Sequence, residues 1–114
     1  LAIVGSVAGD RGHKPNYVYG VAKGLVTRYV QGLQHRLAGT GVKVVLIKPG
    51  STDTPMTAHL KQKGVRLIKV EDVARLVVKA INQGSSVVYV PGKWRVIMMR
   101  ICHLPNFIFN KLDI

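Results

Sequence analysis

Tyr19-Gly20-Val21-Ala22-Lys23, with Ser6 thirteen residues upstream and Pro49-Gly50-Ser51-Thr52-Asp53-Thr54 downstream, decides how this chain reads. A phenol is a poor acid or base near neutral pH, because its free pKa is about 10. A lysine at i+4 lies one helical turn away on the same face, and its ammonium favours the phenolate. Of the four tyrosines, only Tyr19 has such a lysine within one helix. Tyr17 is followed at that spacing by Val21 and Tyr29 by Leu33, while Tyr89 and Lys93 straddle Pro91-Gly92, which breaks a helical turn. Pro15-Asn16 marks a helix start with Asn16 as N-cap. Tyr19 then falls in the first turn, where the helix dipole also favours an anion. Taken alone, the same pattern fits an ordinary helix with an exposed Lys and a half-buried Tyr.

The surrounding elements set the context. Residues 3–9 read as a buried strand ending in small residues, and residues 42–47 as a second apolar strand ending at Pro49-Gly50. Between them, Val18, Val21, Ala22, Leu25, Val26, Tyr29, Val30, Leu33 and Leu37 place an apolar face along the Tyr19 helix. Gly20, Gly24 and Gly32 each weaken that helix by roughly 1 kcal/mol relative to Ala, which predicts close packing on the sheet or against a second copy of the helix. Residues 54–64 read as a short mobile helix or lid. Glu71-Asp72 opens the next helix, Gly84 ends it, and Val87-Val88-Tyr89-Val90 is the last strand. The fold class is therefore α/β, with about three strands in a parallel sheet.

Strand, Ser, loop, helix with YxxxK, strand and PGxxxT, in that order, resemble the C-terminal half of the short-chain dehydrogenase/reductase family over roughly residues 1–90. The resemblance implies half of a Rossmann-type sheet and an NAD(P)-dependent oxidoreductase that reduces a carbonyl. Ser6 would hydrogen-bond the substrate oxygen, Tyr19 would be the proton donor, and Lys23 would hold the nicotinamide ribose while favouring the phenolate. Pro49, Gly50, Thr52 and Thr54 would line the cofactor, together with Tyr19 and Lys23. NADP or NAD is implied, with NADPH favoured. The family's glycine-rich loop has no counterpart here: Gly20 and Gly24 lie inside a helix, and Gly39-Thr40-Gly41 closes it. The family's catalytic Asn and its residue selecting NAD or NADP are also missing. Leu1 opens inside an apparent strand, so the chain reads as the catalytic half (residues 1–92) followed by a helical tail (93–114), and cofactor binding to it alone stays open. The strand edge left unpaired by a half-sheet invites dimerisation or strand exchange, and family dimers of this kind pair such helices.

At 114 residues and 47% hydrophobic, there is room for one domain with a core. Seventeen Lys and Arg against five Asp and Glu give a net charge of +12, spread along the chain rather than run together. This suits a solvated basic surface, or attraction to an anionic cofactor, a phosphate-bearing substrate or an acidic membrane. Nucleic acid is not expected, because stacking aromatics among the basic residues would be needed and the only two Phe and one Trp all lie in the tail. Cys102 has no partner for an internal disulfide or a cysteine metal site, consistent with a cytoplasmic setting, and the four His lack metal-ligand spacing.

The tail, Lys93 to Leu112, is apolar with basic interruptions and falls short of the ~20 apolar residues that span a bilayer. Trp94, Ile97, Met98 and Ile101 share one helical face. Such a helix suits three settings: an anionic membrane surface, the mouth of a substrate pocket, or another subunit. With Gly9-Asp10-Arg11-Gly12 and the basic charge, it resembles the ketoreductases of decaprenylphosphoryl arabinose synthesis, which implies a lipid-phosphate-linked keto sugar as substrate. The expected partners are a small-molecule or lipid-linked carbonyl compound and a second copy of the chain, with peripheral membrane contact through residues 93–114. The competing reading is an inactive module that self-associates or binds a membrane surface.

Overall fold

The computed structural model describes residues 1–52, 57–62, 64 and 67–112. Three parallel strands, β1 (Ala2–Val4), β2 (Val45–Pro49) and β3 (Val87–Val90), lie side by side in sequence order. Helix α1 (Tyr17–Arg36) connects the first two strands. The short α2 (Ala58–Gln62) and α3 (Val70–Gln83) lie between the second and third, and α4 (Lys93–His103) with α5 (Asn106–Phe109) forms the tail. The expected α/β class and three-stranded parallel sheet are what is seen. Each strand therefore delivers its carboxyl end to the same edge, where open α/β sheets present ligand-binding loops.

β2 is central, and its run Val44-Val45-Leu46-Ile47 is almost wholly buried because helices cover both faces. Val30 of α1 packs with Val44 and Leu46 on one face, joined by Val26, Leu33 and Leu37. Val73, Leu76 and Val77 of α3 pack with Val45, Ile47 and Val90 on the other. Period-two alternation along β2 thus feeds both layers. At the opposite end of the sheet, the Gln34 amide donates to the carbonyls of Val44 (3.0 Å) and Ser86 (2.9 Å), fastening α1 across the starts of β2 and β3.

Two strand boundaries differ from expectation. Pairing in β2 starts at Val45, whose N–H donates to Leu1 O, and runs to Pro49 rather than covering 42–47. β1 stops at Val4, because the Ser6 hydroxyl accepts from Ala8 N–H (3.1 Å) and caps a 3-10 turn, Val7–Gly9. β1 is also less buried than its composition suggests, with Val4 57% exposed at the outer edge of the sheet. Asn16 is the residue before α1 as expected, although its side chain makes no capping hydrogen bond. α3 follows expectation at both ends, with Glu71 and Asp72 in its first turn and Gly84 left-handed (φ 69°) at its C-cap.

The apolar face expected along α1 divides in two. Val26, Val30, Leu33 and Leu37 meet the sheet, whereas Val18, Val21, Leu25 and Tyr29 point away and are exposed. A 20-residue helix resting on one side of a narrow sheet can bury only one stripe.

Candidate active site

Ser6 lies just beyond the carboxyl end of β1, in a residue almost fully buried. Its oxygen accepts from Ala8 N–H, which leaves its own O–H free to donate, since a hydroxyl carries one proton and two lone pairs. The 3-10 turn that Ser6 caps then rests directly on the first turns of α1. A Cβ on Gly9 would come within 2.7 Å of the Lys23 carbonyl carbon, and one on Gly20 within 2.8 Å of Ala8 O. Gly24 faces Gly9 O across the same seam. Gly20 and Gly24 therefore face the serine-bearing turn rather than the sheet. They let the serine-bearing turn approach the helix backbone closely. Gly32 has no such neighbour, and nothing in the structure explains it.

Tyr19 and Lys23 occupy successive turns of α1, both half-buried, with the ammonium 5.7 Å from the centre of the phenol ring. Among the described residues, the Lys23 ammonium has that ring as its one contact and the Tyr19 hydroxyl has no hydrogen-bond partner. A half-buried ammonium beside a phenol, neither engaged by another group of the protein, is suited to binding a diol and stabilising a nearby oxyanion.

Pro49 and Gly50 end β2, and Gly50 N–H donates to Val90 O (3.0 Å). Thr52 follows, its hydroxyl donating to Gly50 O (3.2 Å) while its backbone bridges to Ile68. Ser6, Pro49, Gly50 and Thr52 thus share the carboxyl edge of the sheet with the Tyr19–Lys23 turn. Thr54 lies outside the described residues, as does part of the 54–64 segment read as a lid; α2 is its described helical portion.

Sequence reasoning missed a buried polar cluster beneath this edge. The Lys48 ammonium meets Asp10 Oδ1 at 2.6 Å with side chains only 8% and 7% exposed, and Tyr89 O–H donates to Asp10 Oδ2 at 2.7 Å. Burial, then the hydrogen bond to Asp10 and its negative charge, push the Tyr89 hydroxyl well above the ordinary phenol range, so it remains a proton donor. One signal could have found the cluster. Lys48 closes an otherwise apolar buried strand, and a buried ammonium requires an acidic partner. With so few acidic residues in the chain, Asp10 was a short search away.

The tail's shared face is also accounted for. Met98 is buried, Trp94, Ile97 and Ile101 are partly so, and the Trp94 indole lies on Gly50, where a Cβ would come within 2.1 Å of its Nε1. In this fold the stripe packs inward, with Trp94 against Gly50 at the carboxyl edge of the sheet. No helix among the described residues is long and apolar enough to cross a membrane.

Comparison with known proteins follows the same lines. A model of the short chain dehydrogenase family matches residues 1–64. An uncharacterized oxidoreductase encoded in the mprA 5' region of Streptomyces coelicolor is 33% identical over 113 residues, covering 98% of this chain and 44% of that protein. One from Mycobacterium tuberculosis is 32% identical over 112 residues, covering 98% and 45%. The chain thus spans about half the length of the curated relatives it matches. The crystal structure of a short chain dehydrogenase from Burkholderia cenocepacia in complex with NADP superposes with a TM-score of 0.70 at 20% identity, covering 91% of this chain and 47% of that one.

The glycine seam yields a direct test. Gly9→Ala should cost about 1–3 kcal/mol in urea unfolding, because its methyl group meets helix backbone rather than a movable side chain. Gly12→Ala, where a Cβ has open space, should change stability by less than about 0.5 kcal/mol.

Proposed function

Because this chain belongs to the short-chain dehydrogenase family, we propose that it is the catalytic half of an NAD(P)-dependent oxidoreductase that reduces a carbonyl group. The observation that carries the proposal is the seam at Gly9, which presses the Ser6-capped turn onto the helical turn holding Tyr19 and Lys23. Lys23 at the carboxyl edge fits a nicotinamide cofactor, NADPH or NADH, because among the described residues its ammonium has no ion-pair or hydrogen-bond partner, whereas the space beside Gly50 is filled by the Trp94 indole. When bound, the cofactor supplies or accepts the hydride.

The chain's own residues manage the proton and the developing charge. Ser6 O–H donates to the carbonyl oxygen and stabilises the negative charge that grows on it. Tyr19 O–H transfers its proton to that oxygen as general acid. The phenolate left behind is favoured by the Lys23 ammonium and by the N-terminal end of α1. Lys23 would also hold the cofactor's ribose hydroxyls, and Pro49, Gly50, Thr52 and Thr54 are the residues proposed to line the cofactor beside it. In oxidation the same groups work in reverse. The substrate is a small-molecule or lipid-linked carbonyl compound, and a lipid-phosphate-linked keto sugar would suit the excess of basic residues.

In an active enzyme comprising this chain and a glycine-rich half, Tyr19→Phe should lower kcat by about 10²–10⁴-fold. NADPH affinity, measured by nucleotide fluorescence titration, should change by no more than about twofold. Undiminished turnover would remove Tyr19 from the role of acid.

A second reading, self-association, rests on the exposed stripe of Val18, Val21, Leu25 and Tyr29 at 72%, 71%, 68% and 64% exposure. Four apolar side chains at i, i+3, i+7 and i+11 form a continuous seam for a second copy. Sedimentation should show a dimer that Leu25→Lys converts to monomer; a monomer before substitution ends this reading.

Membrane-surface contact would use the outer face of the tail, where Val96, Met99 and Phe107 are exposed beside the basic Lys93, Arg100 and Lys111. Co-sedimentation with phosphatidylglycerol vesicles should occur at low salt, weaken as salt rises, and be lost in Phe107→Glu.

A further inference from the structure

Arg11 spends its guanidinium entirely on the tail. One nitrogen donates to Ile101 O (2.6 Å) and Leu104 O (2.7 Å), and the other to Asn106 Oδ1 (2.9 Å). The group also stacks 3.9 Å over the Phe109 ring. The two carbonyls belong to the last turn and C-cap of α4, where helix carbonyls are left short of internal donors and attract a cation; Ile101 O also accepts from Leu104 N–H (3.3 Å). A planar fork reaching two carbonyls, an amide and a ring face at once is something lysine cannot reproduce.

The residue before Arg11 is fixed as firmly. Asp10 is held by Lys48 and Tyr89 of the sheet, and its carbonyl lies 3.5 Å from Cys102 Sγ of α4. Residues 9–11 therefore touch the helix of Tyr19 through Gly9, the sheet through Asp10 and the tail through Arg11. On the outer side, Gly12, His13 and Tyr17 face Phe109 and Asn110 across an open groove whose far wall is the segment Arg11 holds.

We infer that Arg11 is a positioning residue that latches α4 and α5 to the serine-bearing segment, keeping Trp94 seated on Gly50 and Phe109 in place as the outer wall of the groove beside Gly12, His13 and Tyr17, which on the catalytic reading takes the substrate. Its specificity consequence rests on the catalytic reading above, while the latch itself does not. If the tail swings free, the groove loses one wall although Ser6, Tyr19 and Lys23 keep their elements. Substrate binding should then suffer more than the chemical step.

Trp94 is the chain's single tryptophan and reports on the latch without any need for turnover. In Arg11→Met the Trp94 emission should shift to longer wavelength, and its acrylamide quenching should rise by about twofold or more. Amide exchange of residues 94–104 should accelerate by about tenfold relative to that of residues 26–33 in α1. Arg11→Lys, which keeps the charge but not the fork, should fall between Arg11→Met and the unsubstituted protein, and it decides the question if Arg11→Met does not fold. Unchanged quenching and unchanged exchange ratio in the folded variant overturn the latch. In the active enzyme, with the carbonyl compound used to test Tyr19, Arg11→Met should raise KM by about tenfold while kcat stays within about threefold. Equal losses in both, or none, overturn the specificity role. An unsubstituted enzyme without turnover defeats the catalytic reading alone, and the Trp94 measurement still judges the latch.

Discussion

The ion pair between Lys48 and Asp10 is the constraint on which the working edge of this structure rests. Taking two charges out of water is costly, and their attraction repays that cost only when geometry and further hydrogen bonds are good. Here both conditions are met: the contact is short and Tyr89 occupies the second carboxylate oxygen. Such a pair adds little net stability relative to an apolar replacement, but loss of one partner strands a buried charge at about 3–5 kcal/mol. Its effect is to fix position. The loop after β1 can take only the path that brings Asp10 over Lys48, and that path sets Gly9 against the helix.

From there the placement of the reactive groups follows by contact. Gly9 touches the backbone of Lys23 rather than its side chain, so the distance between the serine turn and the helix is set by main chain on both sides. Backbone contacts of this kind do not relax by rotamer change, which is what catalytic geometry requires. On β2, Lys48 precedes Pro49-Gly50 directly, so the residue that fixes the loop also belongs to the strand that ends in that turn. One ion pair thereby relates two segments that are far apart in the chain.

Much of this was legible in the sequence, and the rest was hidden for identifiable reasons. The three apolar strands, the start of α1 and both ends of α3 could be read because each depends on local chemistry: apolar runs, an N-terminal Asn, two acids and a glycine. The placing of Ser6 after the first strand and of Tyr19 and Lys23 on successive turns of one helix was readable from spacing. The destination of the helix glycines was not, because periodicity shows that a close approach exists without showing what approaches. The stripe Trp94, Ile97, Met98 and Ile101 was correctly identified as a buried face, yet a membrane and a protein core demand the same residues there. The Arg11 contacts with the tail span some ninety residues of sequence, beyond the reach of any local rule.

Because the guanidinium of residue 11 and the indole of residue 94 clasp opposite ends of one terminal segment, residues 94–109 and the short loop after the first strand form a single module of design. A chimera that borrows only the terminal segment from a relative would inherit half a joint. Exchanging the tail between members of this group would call for transplanting residues 9–12 in the same step, as one cassette.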